Sequence, residues 1–233
     1  MSVVNTHNVA VNLARLAPPN VAARFLPPLL DGRGSACTAL TEPGTGSDVA
    51  AMTTTAVRDG DDWIVTGEKS WIVNARHAEI AIVYAQCGQH GDHSDIGAFL
   101  VDLTVPQCRR YPIDSPFSQT SIGTGGFILD QCRVPAAHLL MPPGTALKSI
   151  LREINGARTY VAAMCCGMVA EALAVVQDYG RARTTFGRPL MQHQAWRHTI
   201  ADVTADLAAA RTLVDQAVQA FAADADAELS AAA

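Results

Sequence analysis

The sequence has no block of lysine and arginine, which together make up 17 of its 233 residues. Aspartate and glutamate number 22, and the formal net charge at pH 7 is −5. Proteins that bind nucleic acid through its phosphates usually carry a basic patch. The composition therefore gives no indication of a nucleic-acid partner. No internal repeat is visible either.

Targeting and membrane signals are also missing from the sequence. The first residues, MSVVNTHNVAVNL, lack the basic segment and apolar core of a secretory signal peptide. No apolar run looks long enough to span a bilayer. We therefore expect a cytoplasmic protein with no membrane segment. Its six cysteines are expected to be free thiols, and adjacent Cys165 and Cys166 to be small core residues.

Two common ligand-binding patterns are absent or weak. There is no glycine-rich phosphate loop of the Rossmann or Walker type. The stretch CGQHGDHSD groups five metal-ligand types, Cys87, His90, Asp92, His93 and Asp95. Its polar and glycine-containing composition is more typical of a hairpin loop, so no metal site is expected.

The chain divides into three zones. Residues 1–35 show short helical patterns interrupted by prolines at 18–19 and 27–28, with Asn20 placed to cap a short helix that ends near Phe25. We interpret this zone as the remnant of an N-terminal helical region. It is too short to form a domain of its own.

The second zone, residues 36–143, is rich in short apolar stretches separated by Gly, Asp and Pro. The residues 59–62, Asp-Gly-Asp-Asp, are typical of a hairpin turn. Evenly spaced short strands indicate an antiparallel barrel or sandwich. Strands are predicted at 53–57, 63–66, 80–85, 96–101 and 126–130.

The third zone, residues 144–233, predicts two long helices and a frayed tail. Helical spacing in the first relates Leu147, Ile150, Leu151, Ile154, Val161, Met164, Met168 and Leu173. The second carries an apolar seam at Trp196, Ile200, Val203, Leu207, Ala210, Val214, Ala217 and Phe221. The predicted fold class is α+β, an antiparallel β-barrel or sandwich followed by a long α-helical hairpin.

Four stretches, in the same order, resemble the acyl-CoA dehydrogenase family. They are TALTEPGTGSD (38–48), GEKSWIV (67–73), NGAR (155–158) and RTTFGRPLMQHQ (183–194). The resemblance covers roughly residues 20–223. It implies the central β-domain of the family followed by the first two helices of its C-terminal helical domain. The sequence would thus be a shortened member.

The resemblance implies FAD as cofactor and an acyl thioester, on CoA or on a carrier protein, as substrate. It places Leu40 and Thr41 on the flavin, and Ser47 beside cofactor or substrate. Residue chemistry agrees, since Gly44 and Gly46 would let a ligand approach the backbone closely. A tight turn between strands is the structural alternative for this stretch.

Two further groups of cofactor contacts are implied. Trp71 matches the aromatic residue that flanks the flavin ring, with a buried core residue as the alternative. The position two residues on is usually a threonine that bonds the flavin, but here it is Val73, which cannot donate a hydrogen bond. The residues expected to hold the FAD of a neighbouring subunit are Arg183, Phe186, His193 and Gln194, and the arginine fork suits a pyrophosphate.

The catalytic base is where the resemblance is weakest. One family position for the base precedes the arginine matched by Arg158, and here it is Ala157. The other lies on a later helix that this sequence does not contain. Glu153, one helical turn before Ala157, is the substitute candidate, although a surface glutamate is the ordinary alternative. Asn155 and Arg158 are expected beside the substrate.

These departures leave two functions open. The first is a flavin-dependent oxidoreductase acting on an acyl thioester. The second is a repurposed scaffold, either a non-redox biosynthetic enzyme or a subunit that completes a site with a fuller partner. The apolar seam of the second helix predicts an oligomer, either a homodimer through the helical hairpin or a heteromer with a longer homologue.

Overall fold

A computed structural model describes residues 2–88, 95–113 and 120–223, without the side chains of residues 2, 3, 147 and 148. The chain forms two compact units, residues 1–151 and 152–233. The first contains two helices and an eight-stranded sheet. The second contains most of one long helix, all of another and a small β-hairpin between them. This arrangement confirms the predicted α+β class.

Two helices open the first unit. Helix α1 covers Ser2–Leu16 and helix α2 covers Pro19–Leu30. The expectation that prolines 27–28 interrupt the helix was wrong, because they lie in its last turns. The carbonyls of Pro27 and Pro28 still accept bonds from Asp31 and Gly34, which end the helix. Asn20 is not the cap, since the helix begins after Pro18.

The sheet has the strand order β6-β7-β3-β2-β4-β5-β8, and β1 pairs in parallel with β4. Neighbours in that order pair antiparallel except for a single parallel pairing of β2 with β4. The five predicted strands are present. Three short strands, β1, β6 and β8, were not predicted. The bounds are β1 Ala36–Ala39, β2 Thr55–Asp59, β3 Asp62–Ile72, β4 Ile80–Gln86, β5 Ile96–Asp102, β6 Cys108–Pro112, β7 Gly125–Val134 and β8 Leu139–Met141.

The hydrophobic core of this unit lies within the sheet. Strand β4 is buried along its whole length, which explains why its sequence does not alternate between apolar and polar residues. Phe99 and Phe127 are fully buried, and Phe99 packs edge-on against Trp63. The predicted turn at 59–62 joins β2 to β3, with Asp59 paired to Asp62.

The second unit contains the helical hairpin. Helix α3 covers Ala146–Ala182, beginning in the first unit, and helix α4 covers Gln194–Ala222. The predicted seam of α4 is confirmed, because all eight of its residues are buried or half-buried. Seam residues and α3 side chains together line a groove of about 590 Å³. On α3 the pattern was wrong at Leu151 and Met168, which are 53% and 61% exposed.

The cysteines and the apolar character of α3 correct two expectations. All six cysteines are free; Cys166 is buried but Cys165 is exposed, so only one of the pair is a core residue. By length and composition the segment Ser149–Ala182 could cross a membrane, contrary to the expectation that no run is long enough. A helix that packs in a bundle meets the same criterion, and several of these apolar residues line the groove with α4.

The stretch considered for metal binding falls largely outside the described residues, since His90, Asp92 and His93 are not among them. Within the described ranges, no group of three or more His, Cys, Asp and Glu side chains is arranged to hold a metal ion.

Candidate functional site

The stretch after β1 forms an exposed tight turn. Glu42 N–H donates to Thr45 O at 3.0 Å, and Thr45 N–H donates to Glu42 O at 3.2 Å. Gly44 and Gly46 are exposed, and a Cβ added to either would meet no atom within 4 Å. Packing within the chain therefore does not require glycine at these positions. The open space over the turn leaves room for a ligand.

The underside of this turn is held by a buried carboxylate. Glu42 Oε2 accepts bonds from the N–H and hydroxyl of Thr53 at 2.6 and 2.7 Å. Glu42 Oε1 accepts bonds from the N–H and hydroxyl of Thr54 at 2.9 and 2.5 Å. Burial raises the pKa of Glu42, but the Lys69 ammonium and these hydrogen bonds outweigh it, and the pKa falls to about 2.

Lys69 completes this network from β3. Its side chain is 0% exposed, and its Nζ donates to Glu42 Oε1 at 2.9 Å and to Leu40 O at 3.1 Å. Burial lowers the pKa of Lys69, and the nearby Glu42 carboxylate offsets only part of that shift. Sequence reasoning missed this pair. The predicted strand ended at residue 66, so no predicted element placed Lys69 inside the sheet.

Trp71 lies next to the anchored turn and faces outward. The N–H of its neighbour Ser70 donates to Thr41 O at 3.0 Å, which joins the turn to β3. Trp71 is 62% exposed and has a φ of +59°, within a register shift of the β3–β7 pairing. A bulky residue in the left-handed region is a strained outlier. The alternative that Trp71 is a core residue is therefore wrong.

The other residues of the first unit that were predicted to contact the flavin vary in exposure. Leu40, Thr41 and Val73 are half-buried, and Ser47 is exposed. In the part of the chain that the structure describes, no protein group bonds the hydroxyls of Thr41 and Ser47. Both hydroxyls are thus free to bond a ligand, whereas Val73 offers only apolar surface.

The second group of predicted cofactor residues lies in the second unit, between α3 and α4. Strands β9, Thr184–Thr185, and β10, Arg188–Pro189, form a hairpin with Phe186 and Gly187 at its tip. Their φ values are +50° and +75°, as a type I′ turn requires. Phe186 is 97% exposed.

The other predicted residues lie at either end of the hairpin. His193 Nε2 lies 3.2 Å from Thr185 O, which holds the imidazole beneath the hairpin. Gln194 begins α4, and Arg183 follows the end of α3; both are exposed. Among the described residues the Arg183 guanidinium has no ion-pair partner. The β9–β10 hairpin and the residue before it thus present an exposed aromatic ring and a cation without an ion-pair partner among the described residues.

The predicted substrate residues lie on α3 in the second unit. Arg158 Nη1 donates to Asn155 Oδ1 at 3.1 Å, so the two candidates form a pair one turn apart. Ala157 and Glu153 lie on the same helix and are half-buried. The helical spacing predicted for Glu153 is therefore present.

Comparison with known protein families accounts for this combination of elements. The family model described as the acyl-CoA dehydrogenase middle domain matches residues 37–132, and the one for the C-terminal domain of the same family matches residues 147–233. The chain belongs to the acyl-CoA dehydrogenase family. Trp71, Phe186 and the Glu42 network lie within the matched regions.

Individual relatives agree with this assignment. The human mitochondrial short-chain specific acyl-CoA dehydrogenase is 32% identical over 81% of this chain and 46% of its own length. Butyryl-CoA dehydrogenase of Megasphaera elsdenii superposes with a TM-score of 0.92 at 27% identity, covering 99% of this chain and 60% of that one. A glutaryl-CoA dehydrogenase of Mycobacterium smegmatis, solved with FADH2, superposes with a TM-score of 0.85 at 30% identity. The match covers 93% of this chain and 55% of that one.

The chain therefore spans about half the length of the curated relatives that it matches. The residues present in this acyl-CoA dehydrogenase family member fit FAD on structural grounds. A flat ring needs an exposed aromatic or apolar wall, which Trp71 and the open turn provide. A pyrophosphate needs an unpaired cation, which Arg183 provides.

Proposed function

We propose that this chain is an FAD-dependent oxidoreductase of the acyl-CoA dehydrogenase type that acts on an acyl-CoA thioester. The main supporting observation is Trp71, an exposed aromatic residue kept in a strained conformation beside an open turn. The related glutaryl-CoA dehydrogenase binds FADH2. When bound, FAD supplies the acceptor for a hydride from the substrate β-carbon.

In the first unit, the chain provides one wall for the flavin ring. Trp71 would stack against the ring, and Leu40 and Thr41 would line its edge. Thr41 and Ser47 offer hydroxyls to which no described residue of the chain is bonded. Val73 would present only apolar surface to the reactive edge and could donate no hydrogen bond to it.

In the second unit, the hairpin residues would hold the phosphates. Arg183 would pair with the pyrophosphate through its guanidinium fork. Phe186, His193 and Gln194 would cover the adjacent part of the cofactor. In this proposal the hairpin serves the flavin of a second copy of the chain.

The proton chemistry falls to α3. Dehydrogenation removes a proton from the α-carbon while the hydride leaves the β-carbon, and the electron pair of the broken α C–H bond forms the new double bond. Glu153 is our candidate to take that proton, since Ala157 cannot. Arg158 and Asn155, paired on the same helix, would orient the thioester.

We further propose a homodimer through the helical hairpin. Several large apolar side chains of α3 and α4 remain exposed, an unusual surface for a monomer. They include Met168, Val175, Tyr179 and Val218. A four-helix arrangement of two hairpins would cover them. A heteromer with a longer homologue is the alternative arrangement.

The alternative function, a repurposed scaffold, is not favoured by comparison with the family.

The direct test of this activity is anaerobic mixing of the FAD-loaded protein with a saturated acyl-CoA. The proposal predicts that the visible absorption of the oxidised flavin bleaches and that a 2-enoyl-CoA forms. A flavin that stays oxidised with short-, medium- and long-chain acyl-CoAs would contradict the proposed activity. An acyl carrier protein thioester tested in parallel would decide between the two carriers.

A further inference from the structure

The buried charges beneath the turn have a position that the proposed function does not explain. Lys69 and Glu42 have side chains 0% and 2% exposed, and neither is available to a ligand. Breaking a buried ion pair is costly, yet replacing the whole pair by apolar residues is often neutral. Stability alone therefore gives no clear reason for an ion pair here, whereas a need to fix local geometry does.

The network holds three consecutive residues of the turn. Leu40 O accepts a bond from Lys69 Nζ, Thr41 O accepts one from Ser70 N–H, and the Glu42 carboxylate is held by five donors. Three of these hydrogen bonds come from residues 69–70, directly before Trp71. The hydrogen bonds of residues 69–70 thus connect residues 40–42 to the part of β3 that carries the exposed tryptophan.

Gly67 allows β3 to lie in close contact with Thr54. Its φ is +154°, and a Cβ there would lie 2.5 Å from Thr54 Oγ1 and 2.6 Å from Thr54 Cα. Glycine is therefore required so that β3 can approach Thr54, which donates twice to Glu42. The motif GEKSWIV combines this contact, the lysine anchor and the exposed aromatic residue.

We propose that Lys69 and Glu42 are positioning residues of the flavin site, whose ion pair fixes residues 40–42 against β3 and so sets the placement of Trp71 relative to the turn. The proposal rests on the proposed function, because a flavin is the ligand that these two surfaces would hold. Neither residue touches the cofactor. Without the pair, the turn and the tryptophan lose their common anchor.

Two variants test this role. Lys69→Met keeps most of the length of the side chain and removes its charge and donors. Thr54→Val keeps the shape of a fully buried residue and removes one hydroxyl bond to Glu42. The matched controls are Arg133→Met, which breaks an exposed ion pair, and Thr55→Val, the exposed neighbour of Thr54. If Lys69→Met does not fold, Thr54→Val decides.

Two measurements separate positioning from stability, both made where far-UV circular dichroism shows full folding. The near-UV circular dichroism of each protein, minus that of its Trp71→Phe counterpart, isolates the signal of Trp71. FAD titration gives affinity. We expect Lys69→Met to lose the Trp71 signal and to bind FAD about tenfold or more weakly, the effect of about 1.4 kcal/mol. Thr54→Val should change both in the same direction, and the controls should change neither.

Other results would overturn the proposal. If the folded variants keep both the Trp71 signal and the affinity for FAD, the pair contributes only stability. If affinity falls while the Trp71 signal is intact, the pair does not act through placement of the tryptophan. If the unmodified protein binds no FAD, the proposed function is wrong, and the Trp71 signal of the variants still decides whether the pair positions that residue.

Discussion

The ring of Phe186 stands edge-on to the imidazole of His193, with centroids 6.2 Å apart, while 97% of the phenylalanine remains exposed. Phe186 also has a φ of +50° in the two-residue loop of the β9–β10 hairpin. Asn-Gly is the favoured sequence for such a turn, whereas Phe-Gly is not. The chain thus keeps an exposed aromatic residue at a position where it weakens the turn.

Phe186→Asn should therefore raise stability and weaken cofactor binding. Relief of the left-handed strain should increase the free energy of unfolding by about 1 kcal/mol, because the side chain is 97% exposed and loses little packing. Urea unfolding and FAD titration on the same samples measure the two effects. Tighter or unchanged FAD binding would remove Phe186 from the site.

Arg183→Ala should weaken FAD binding by about 1.5–3 kcal/mol, the value of a hydrogen bond to a charged group. The expected reason is loss of the cation that faces the pyrophosphate. Arg211→Ala, on the exposed side of α4, is the control and should bind as the unmodified protein does. Equal affinity of the two variants would show that Arg183 lies outside the site.

The Glu42 carboxylate predicts a pH dependence of stability. Its pKa falls from 4.5 to about 2 in the folded chain, so its contribution is complete above about pH 4.5 and is lost as pH falls toward 2. Glu42→Gln should cost about 3 kcal/mol at neutral pH, because it leaves Lys69 buried without a counter-charge. That cost should shrink in acid.

Urea unfolding of both proteins at neutral pH and near pH 3 checks this dependence. Asp59→Asn, at the exposed ion pair with Arg133, is the control and should change little at either pH. If Glu42→Gln lowers the free energy of unfolding by the same amount at both pH values, Glu42 is not the group responsible for the pH dependence.

The absence of a carboxylate at position 157 predicts slow dehydrogenation by the FAD-loaded chain. Glu153→Gln should lower the remaining rate by a further factor of about 10²–10⁴, as loss of a general base does. Stopped-flow reduction of the flavin by acyl-CoA measures this rate. Glu171→Gln, exposed on the same helix, is the control, and identical rates for the two variants would exclude Glu153 as the base.

Met168→Asp should dissociate the proposed homodimer, because it introduces a charge among exposed apolar side chains of α3 and α4. Light scattering behind a sizing column gives the mass, and far-UV circular dichroism confirms that the helices persist. Thr212→Asp, at an exposed position of α4, is the control. A one-chain mass for the unmodified protein at micromolar concentration would contradict the homodimer.

Much of the fold could be predicted from the sequence because its signals are local. The α4 seam follows helical periodicity at eight positions between Trp196 and Phe221, and the turn at 59–62 carries its own glycine. Strand β1 and strand β8 were missed because each has only three or four residues, and their place depends on pairing with β4 and β5. Prolines 27–28 were misjudged because their effect depends on position within the helix.

The site was predictable only as far as motifs identify residues. The motifs led to Trp71 and to the hairpin residues, but not to the strained φ of Trp71, which arises where β3 changes register against β7. Lys69 and Glu42 lie 27 positions apart, so their ion pair depends on the return of β3 beneath the turn. No local pattern records such a contact.

The visible spectrum of the purified chain, recorded after incubation with FAD and removal of free cofactor, tests flavin binding most directly. We expect bound oxidised flavin in the unmodified protein and much less in Trp71→Ala, with both proteins folded. A colourless unmodified protein, with all added FAD recovered in the filtrate, would contradict this expectation.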